Sequence, residues 1–212
     1  MLKYTSFFFA LILSYHLQSQ EENVTPSKKF HAGIIAGIST SQVDGDSYGG
    51  FDKVGPLVGA YVRTNLNSKF DVRFEIIYTQ KGSRKNPDTE KGDYTSYLLR
   101  LNYIDVPVCL RYRYKKIYFE GGASYGRLFS FSEQNQAGPV IQLYPFEKSD
   151  VMFFAGFYYQ FAEKWTVAIR RSYSLMPIRK FPFAVYSPNL MSNFFNKGYY
   201  NSLLCLSLNY EL

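Results

Sequence analysis

The chain has 212 residues with a formal charge of +7, and it carries 20 Tyr and 19 Phe against a single Trp. That apolar content suffices for one domain, and no Pro/Gly/Ser-rich linker marks off a second. The basic residues are scattered through the chain instead of forming a run, which excludes a nucleic-acid-binding arm.

Residues 1–20 carry Lys3, an apolar core from Phe7 to Leu17, and the polar Gln18-Ser19-Gln20. An apolar run of about eleven residues is shorter than the ~20 that a membrane-spanning helix needs, but it fits the core of a signal peptide. The expectation is cleavage after Ser19 or Gln20, against the alternative of a retained anchor. Residues 21–29 then form a polar leader, and 30–212 one domain. No Cys stands near the cleavage point to carry a lipid.

From Phe30 the sequence alternates. Phe30, Ala32, Ile34, Ala36 and Ile38 oppose His31, Gly33, Gly37, Ser39 and Ser41, a period of two that predicts a strand over 30–42. Asp44 to Gly50 is a loop, since Gly and Asp accept turn conformations. A second strand, 54–65, sets Val54, Pro56, Val58, Ala60 and Val62 against Gly59, Tyr61 and Arg63, and Leu66-Asn67-Ser68 turns the chain. A third, 70–81, sets Phe70, Val72, Phe74, Ile76 and Tyr78 against Asp71, Arg73, Glu75, Thr79 and Lys81. After a polar loop from Gly82 to Asp93, the stretch Leu99 to Tyr114 alternates again, with Ile104, Val106, Val108 and Leu110 on one face and Asp105, Cys109, Arg111 and Arg113 on the other. Lys115-Lys116 turns it into Ile117 to Phe129, where Glu120, Gly122, Ser124 and Gly126 share a side. Ser132 to Asp150 is a third long loop. Strands six (151–161) and seven (165–175) flank Ala162-Glu163-Lys164, and a fourth loop, Met176 to Gly198, leads to Tyr199 to Leu212.

Short connections (66–68, 115–116, 162–164) therefore alternate with long ones (43–53, 82–95, 132–150, 176–198). Eight strands linked this way make an all-β, antiparallel, up-and-down barrel with both termini at the tight-turn end.

Tyr78 to Gly82, Leu99 to Pro107 and Gly121 to Gly126 give this chain its resemblance to the PorT-like outer-membrane β-barrel family, spanning most of residues 30–212. The resemblance implies an integral outer-membrane protein with termini on the periplasmic side, outer-membrane lipid around it, and secretion or envelope-assembly proteins as partners. It implies no cofactor.

Alternation alone fits a soluble lipocalin-like barrel equally well, with the apolar face turned inward. Three features favour the transmembrane barrel. Glycines mixed with Arg63, Arg73, Glu75, Arg111, Glu120 and Arg170 suit a narrow interior filled by ion pairs. Aromatics gather at strand ends as two interface girdles: Phe30, Phe70, Tyr112, Tyr114, Phe119, Tyr159, Phe161, Trp165 and Tyr210 near the short turns, and Tyr78, Tyr97 and Tyr199 near the long loops. Each strand also carries about 9 to 11 residues of pattern, enough to cross at a tilt.

Catalytic signals are weak. His31 is the one histidine outside the signal segment, and it falls at the tight-turn end, away from the loops where a barrel hydrolase would work. Asp44-Gly45-Asp46 lacks the other spaced ligands of a calcium loop, so it reads as a turn and no metal is expected. Cys109 and Cys205 fall on strands four and eight, opposite walls of an eight-strand ring, so both thiols are expected free. Arg171 breaks the pattern. Alternation turns it outward beside Trp165, Val167 and Ile169, about 15 Å up the strand and in mid-hydrocarbon. Either a bulge at Arg170-Arg171 or locally thin lipid relieves it, or Arg171 contacts a partner protein.

Overall fold

A computed structural model describes residues 30–46, 48–141, 143–180 and 198–212. The signal segment 1–20, the leader 21–29 and most of the 176–198 loop lie outside the described residues. Eight long strands form one antiparallel meander: β1 (Phe30–Asp44), β2 (Lys53–Asn65), β3 (Phe70–Lys85), β4 (Tyr97–Tyr114), β5 (Ile117–Asn135), β6 (Ser149–Gln160), β7 (Trp165–Ser174) and β8 (Gly198–Glu211). β1 pairs with β8 from Gly33↔Glu211 to Asp44↔Tyr200 and closes the ring.

The tight turns are built locally. Asn67 Oδ1 accepts from the backbone N–H groups of Lys69 and Phe70 at 2.9 Å each, and Lys115 takes a positive φ of 55° to reverse β4 into β5. Cys109 and Cys205 are free and buried, four strands apart around the ring.

The apolar faces point outward. Ile34, Ile38, Val54, Val58, Phe74, Ile76, Val108, Leu110, Phe119, Phe153, Phe157, Ile169, Leu204 and Leu206 are all exposed, while Arg73, Glu75 and Lys81 are almost fully buried. A soluble barrel would reverse this, because water favours the charges outside. On β1, β2, β3, β5 and β6 the outward apolar run covers five alternate positions, nine residues of strand from first to last. At ~3.3 Å per residue and a tilt near 40° that is roughly 20 Å, close to the ~25 Å apolar band of outer-membrane barrels.

Several boundaries differ from the pattern reading. β3, β4 and β5 run on to Lys85, Tyr97 and Asn135, past the apolar band. In that extension the interior becomes apolar: Val43, Tyr97, Leu99, Leu101, Tyr103, Leu128, Phe146 and Ile178 form a core with Tyr48 and Tyr199 packed on it. Tyr97 and Tyr199 consequently face inward and belong to no lipid girdle. The upper girdle consists of Tyr78, Tyr125, Phe129, Phe153 and Tyr173 instead. The pairing of β4 with β5 slips at Asn102/Tyr103, opposite Phe129, so that past the bulge Phe131 and Glu133 turn to the inside. At Arg170-Arg171 the register is continuous on both sides, from Met152↔Ser174 to Gln160↔Thr166 and from Ser202↔Tyr173 to Tyr210↔Trp165, so no bulge lies there.

Candidate functional site: the charged barrel interior

The interior polar residues are stacked in tiers from the tight-turn end to the long loops. At the mouth, Glu211 lies 2.8 Å from both His31 Nδ1 and an Arg63 guanidinium nitrogen. One step in, Arg111 Nε donates to Asp71 Oδ1 at 2.7 Å. Arg73 pairs with Glu75 at 2.6 Å, donates to Asn209 Oδ1 at 2.6 Å, and lies 3.6 Å above the Tyr61 ring. Stacking on Tyr61 lets the guanidinium stay charged where little water reaches it.

Midway, Arg170 from β7 donates two hydrogen bonds to Glu75 (2.8 and 3.0 Å) and two to Glu120 (2.6 and 3.0 Å). The Tyr158 hydroxyl donates to Glu120 at 2.8 Å and accepts from Arg170 at 2.9 Å. Close packing makes room for this knot. A Cβ at Gly156 would collide with the Glu120 carboxylate. Cavities of about 10 and 30 Å³ flank Arg170, room for a water or two and no more.

Above an apolar layer of Ile35, Leu57, Ile77, Met152, Leu203 and Cys205, Lys81 Nζ sits 2.9 Å from Asp105 and 3.2 Å from Asp150. Asp150 also accepts from Ser174 Oγ (2.7 Å) and Asn201 Nδ2 (2.8 Å). In the top tier Arg179 pairs with Glu133 at 2.7 Å, and the Tyr97 hydroxyl donates to the same carboxylate. The structure thus joins Glu75, Glu120, Arg73 and Arg170 in one network, and places Arg111 and Arg63 in separate pairs nearer the mouth. Sequence reading passed over the Lys81–Asp105–Asp150 tier and the Glu133–Arg179 pair. Lys81 was legible as an inward residue, but its partners come from β4 and β6, and only closure of the ring brings them to it.

A polar cavity of about 100 Å³ opens at the tight-turn mouth, lined by Arg63, Arg73, Arg111, Arg113, Lys164 and Glu211 among others. His31, in this region, is held by Glu211. At the other end, Asp46 is buried in the first long loop and accepts from the Tyr48 backbone N–H at 2.8 Å. Among the described residues no group of His, Cys, Asp and Glu could hold a metal.

Arg171 lies on the outer wall. Its guanidinium donates to the Leu203 carbonyl (2.8 Å) and Ser202 Oγ (2.6 Å), and it lies 4.7 Å from the Phe51 ring centroid. The outward apolar run of β7 is short, ending at Ile169, and the charge reaches up the wall to Ser202 and the first loop.

A family model described as outer membrane protein beta-barrel domain matches residues 18–180. Among solved structures the chain is similar to the attachment invasion locus protein Ail of Yersinia pestis (14% identity, 87% of this chain and 99% of that one, TM-score 0.48). It is likewise similar to Neisserial surface protein A (12%, 86% and 97%, 0.49) and to CarO2 of Acinetobacter baumannii (11%, 85% and 99%, 0.43). No curated protein matches.

Proposed function

From a chain that belongs to the outer membrane protein beta-barrel domain family, we propose a non-enzymatic barrel that serves protein secretion or envelope assembly by holding partner proteins, and that neither conducts solutes nor cuts bonds. The observation that carries this reading is the Arg170 bridge. A guanidinium bonded at once to Glu75 on β3 and Glu120 on β5 reaches across the lumen from β7, with cavities of only about 10 and 30 Å³ beside it. A barrel closed in this way acts through its surfaces. The resemblance of Tyr78–Gly82, Leu99–Pro107 and Gly121–Gly126 to the PorT-like family supports a place in secretion or assembly. In this reading residues 1–20 are an export signal, the tight-turn end and the termini face the periplasm, and Arg63, Arg73, Glu75, Arg111, Glu120 and Arg170 are the structural filling. Arg171, on the outer wall, is the contact offered to a neighbouring membrane protein.

Planar-bilayer recording combined with detergent pull-down from outer membrane tests the proposal. A silent barrel that retains envelope proteins supports it. Stable single-channel steps, or hydrolysis of lipid or peptide by the purified barrel, overturn it.

A further inference from the structure

Every outward apolar run ends, on the side of the long loops, in a polar residue, and the identity of that residue differs around the ring. On β8 and β1 it is Ser202 and Thr40. On β3, β4 and β5 it is Gln80, Asn102 and Arg127, followed outward by Arg84 on β3 and Arg100 on β4. Gly82 is opposite Arg100 and Leu98 opposite Arg84, which makes the two arginines diagonal neighbours on the lipid side. Lys53 Nζ donates to Gln80 Oε1 at 2.8 Å and lies in the field of Arg84 and Arg100.

This arc is pre-organised. Gln80 Nε2 donates to Asn102 Oδ1 at 3.0 Å, and Asn102 Nδ2 to Ser130 Oγ at 2.8 Å. Ser149 Oγ stands 2.8 Å from the Tyr125 hydroxyl and accepts from Arg127 at 3.5 Å. What the arc lacks is negative charge. Arg63, Arg73, Arg111 and Arg170 inside the barrel each have a carboxylate partner, whereas among the described residues Arg84 meets Asn86, Arg127 meets Ser149 and Tyr125, and Arg100 has no hydrogen-bond or ion-pair partner.

We propose that the β3–β5 arc formed by Arg84, Arg100 and Arg127 binds the phosphate groups of an anionic lipid in the leaflet at the long-loop end. The position selects the ligand. Ile104, the cross-strand partner of Arg127, and Tyr125 face acyl chains, and Arg100 and Arg84 stand successively higher on β4 and β3, so the arc climbs from the edge of the acyl chains into the layer of headgroup phosphates. Arginine presents a planar fork of donors that suits phosphate oxygens, and Gln80, Asn102 and Ser130 add neutral hydrogen-bonding groups beside it. Each such cation adds to the attraction toward an anionic surface. The three together should favour a phosphomonoester lipid by at least about tenfold. The Ser202/Thr40 side of the same boundary has one arginine, Arg171, whose guanidinium is already bonded to the Leu203 carbonyl and Ser202 Oγ.

The inference rests on the outer-membrane reading, and one experiment separates the two. The barrel is reconstituted in phosphatidylcholine nanodiscs doped equally with phosphatidic acid and diacylglycerol, and retained lipid is read by native mass spectrometry. Wild type should keep phosphatidic acid at least about tenfold over the other lipids. The variant with Arg84→Gln, Arg100→Gln and Arg127→Gln should lose that preference, and the Lys115→Gln, Lys116→Gln variant at the tight turn should keep it. A barrel that inserts but holds all three lipids alike, or whose preference survives the arginine changes, overturns the lipid site alone. Failure of the wild-type chain to enter the bilayer overturns the membrane reading and the lipid site together.

Discussion

Glu75 and Arg170 are 95 residues apart in sequence and four strands apart around the ring, yet their side chains meet at 2.8 and 3.0 Å across the barrel axis. Opposite walls touch only when nothing but side chains lies between them, so this contact measures how completely the lumen is filled. Glu75 and Glu120 are both held by this one guanidinium, Glu75 having Arg73 as a second cation, which ties three strands to a single residue.

Arg170→Leu should therefore take from Glu120 its cation and leave Glu75 with Arg73 alone in a poorly solvated interior. The expected loss is about 3–5 kcal/mol, the cost of breaking a buried pair by removing one partner. Arg170→Lys keeps the charge but loses the fork, and it should fall between the parent and the leucine variant. Urea unfolding in phospholipid vesicles measures both, and a loss under about 1 kcal/mol for the leucine variant would show that the network contributes little.

Close packing behind Glu120 gives a second, sterically defined outcome. Gly156→Ala places a methyl against the Glu120 carboxylate, whereas a Cβ at Gly121, an outward residue of β5, meets nothing within 4 Å. Gly156→Ala should cost about 1–3 kcal/mol, the usual range for an overpacked interior. Gly121→Ala should be within about 0.5 kcal/mol of the parent, as surface changes generally are. Equal unfolding midpoints for the two variants would contradict the placement of Glu120.

Two loop carboxylates should respond to pH with opposite sign. Burial raises Asp46 above the ordinary 3.8, against the hydrogen bond from the Tyr48 N–H, and Asp44 nearby adds to the rise. Because the folded loop holds this proton more firmly than the unfolded chain, the contribution is complete below the unfolded value. It is lost as pH rises through the folded one. Hydrogen bonds from Lys85 and Thr95 hold the exposed Asp93 well below 3.8, so its contribution is present above that value and lost as pH falls through the folded one. Thermal unfolding of Asp46→Asn should gain on the parent towards neutral pH. Asp93→Asn should fall behind the parent at neutral pH and match it in strong acid. Parallel pH curves for all three proteins would refute the assignments.

Arg171→Leu separates a structural role from a docking role. The variant loses the hydrogen bonds to Leu203 and Ser202 but places an apolar side chain in line with Ile169, and near the interface a lipid-facing arginine costs only about 0–1 kcal/mol. The isolated barrel should thus unfold within about 1 kcal/mol of the parent, while native gels of detergent-solubilised membrane should show loss of the complexes that wild type forms. If the variant keeps every complex, Arg171 is not the contact.

Alternation, turn residues and loop lengths were sufficient to read eight antiparallel strands from the sequence, because a barrel strand buries one face and a period of two can be seen in one strand alone. The same period identified Arg73, Glu75, Arg111, Glu120 and Arg170 as sharing a face. It left open which side of the wall that face was on, since a soluble barrel has the same period. Closure of the ring decided this by burying the charged side and exposing Ile34, Val58 and Phe74. It also decided what periodicity has no means to express. Lys81 meets Asp105 and Asp150, the bulge opposite Asn102 reverses the facing of β5, and Tyr97 and Tyr199 pack inside above the apolar band. Each of these depends on register between strands distant in sequence, and register is fixed only when the hydrogen-bond ladders and the interior side chains are satisfied at once.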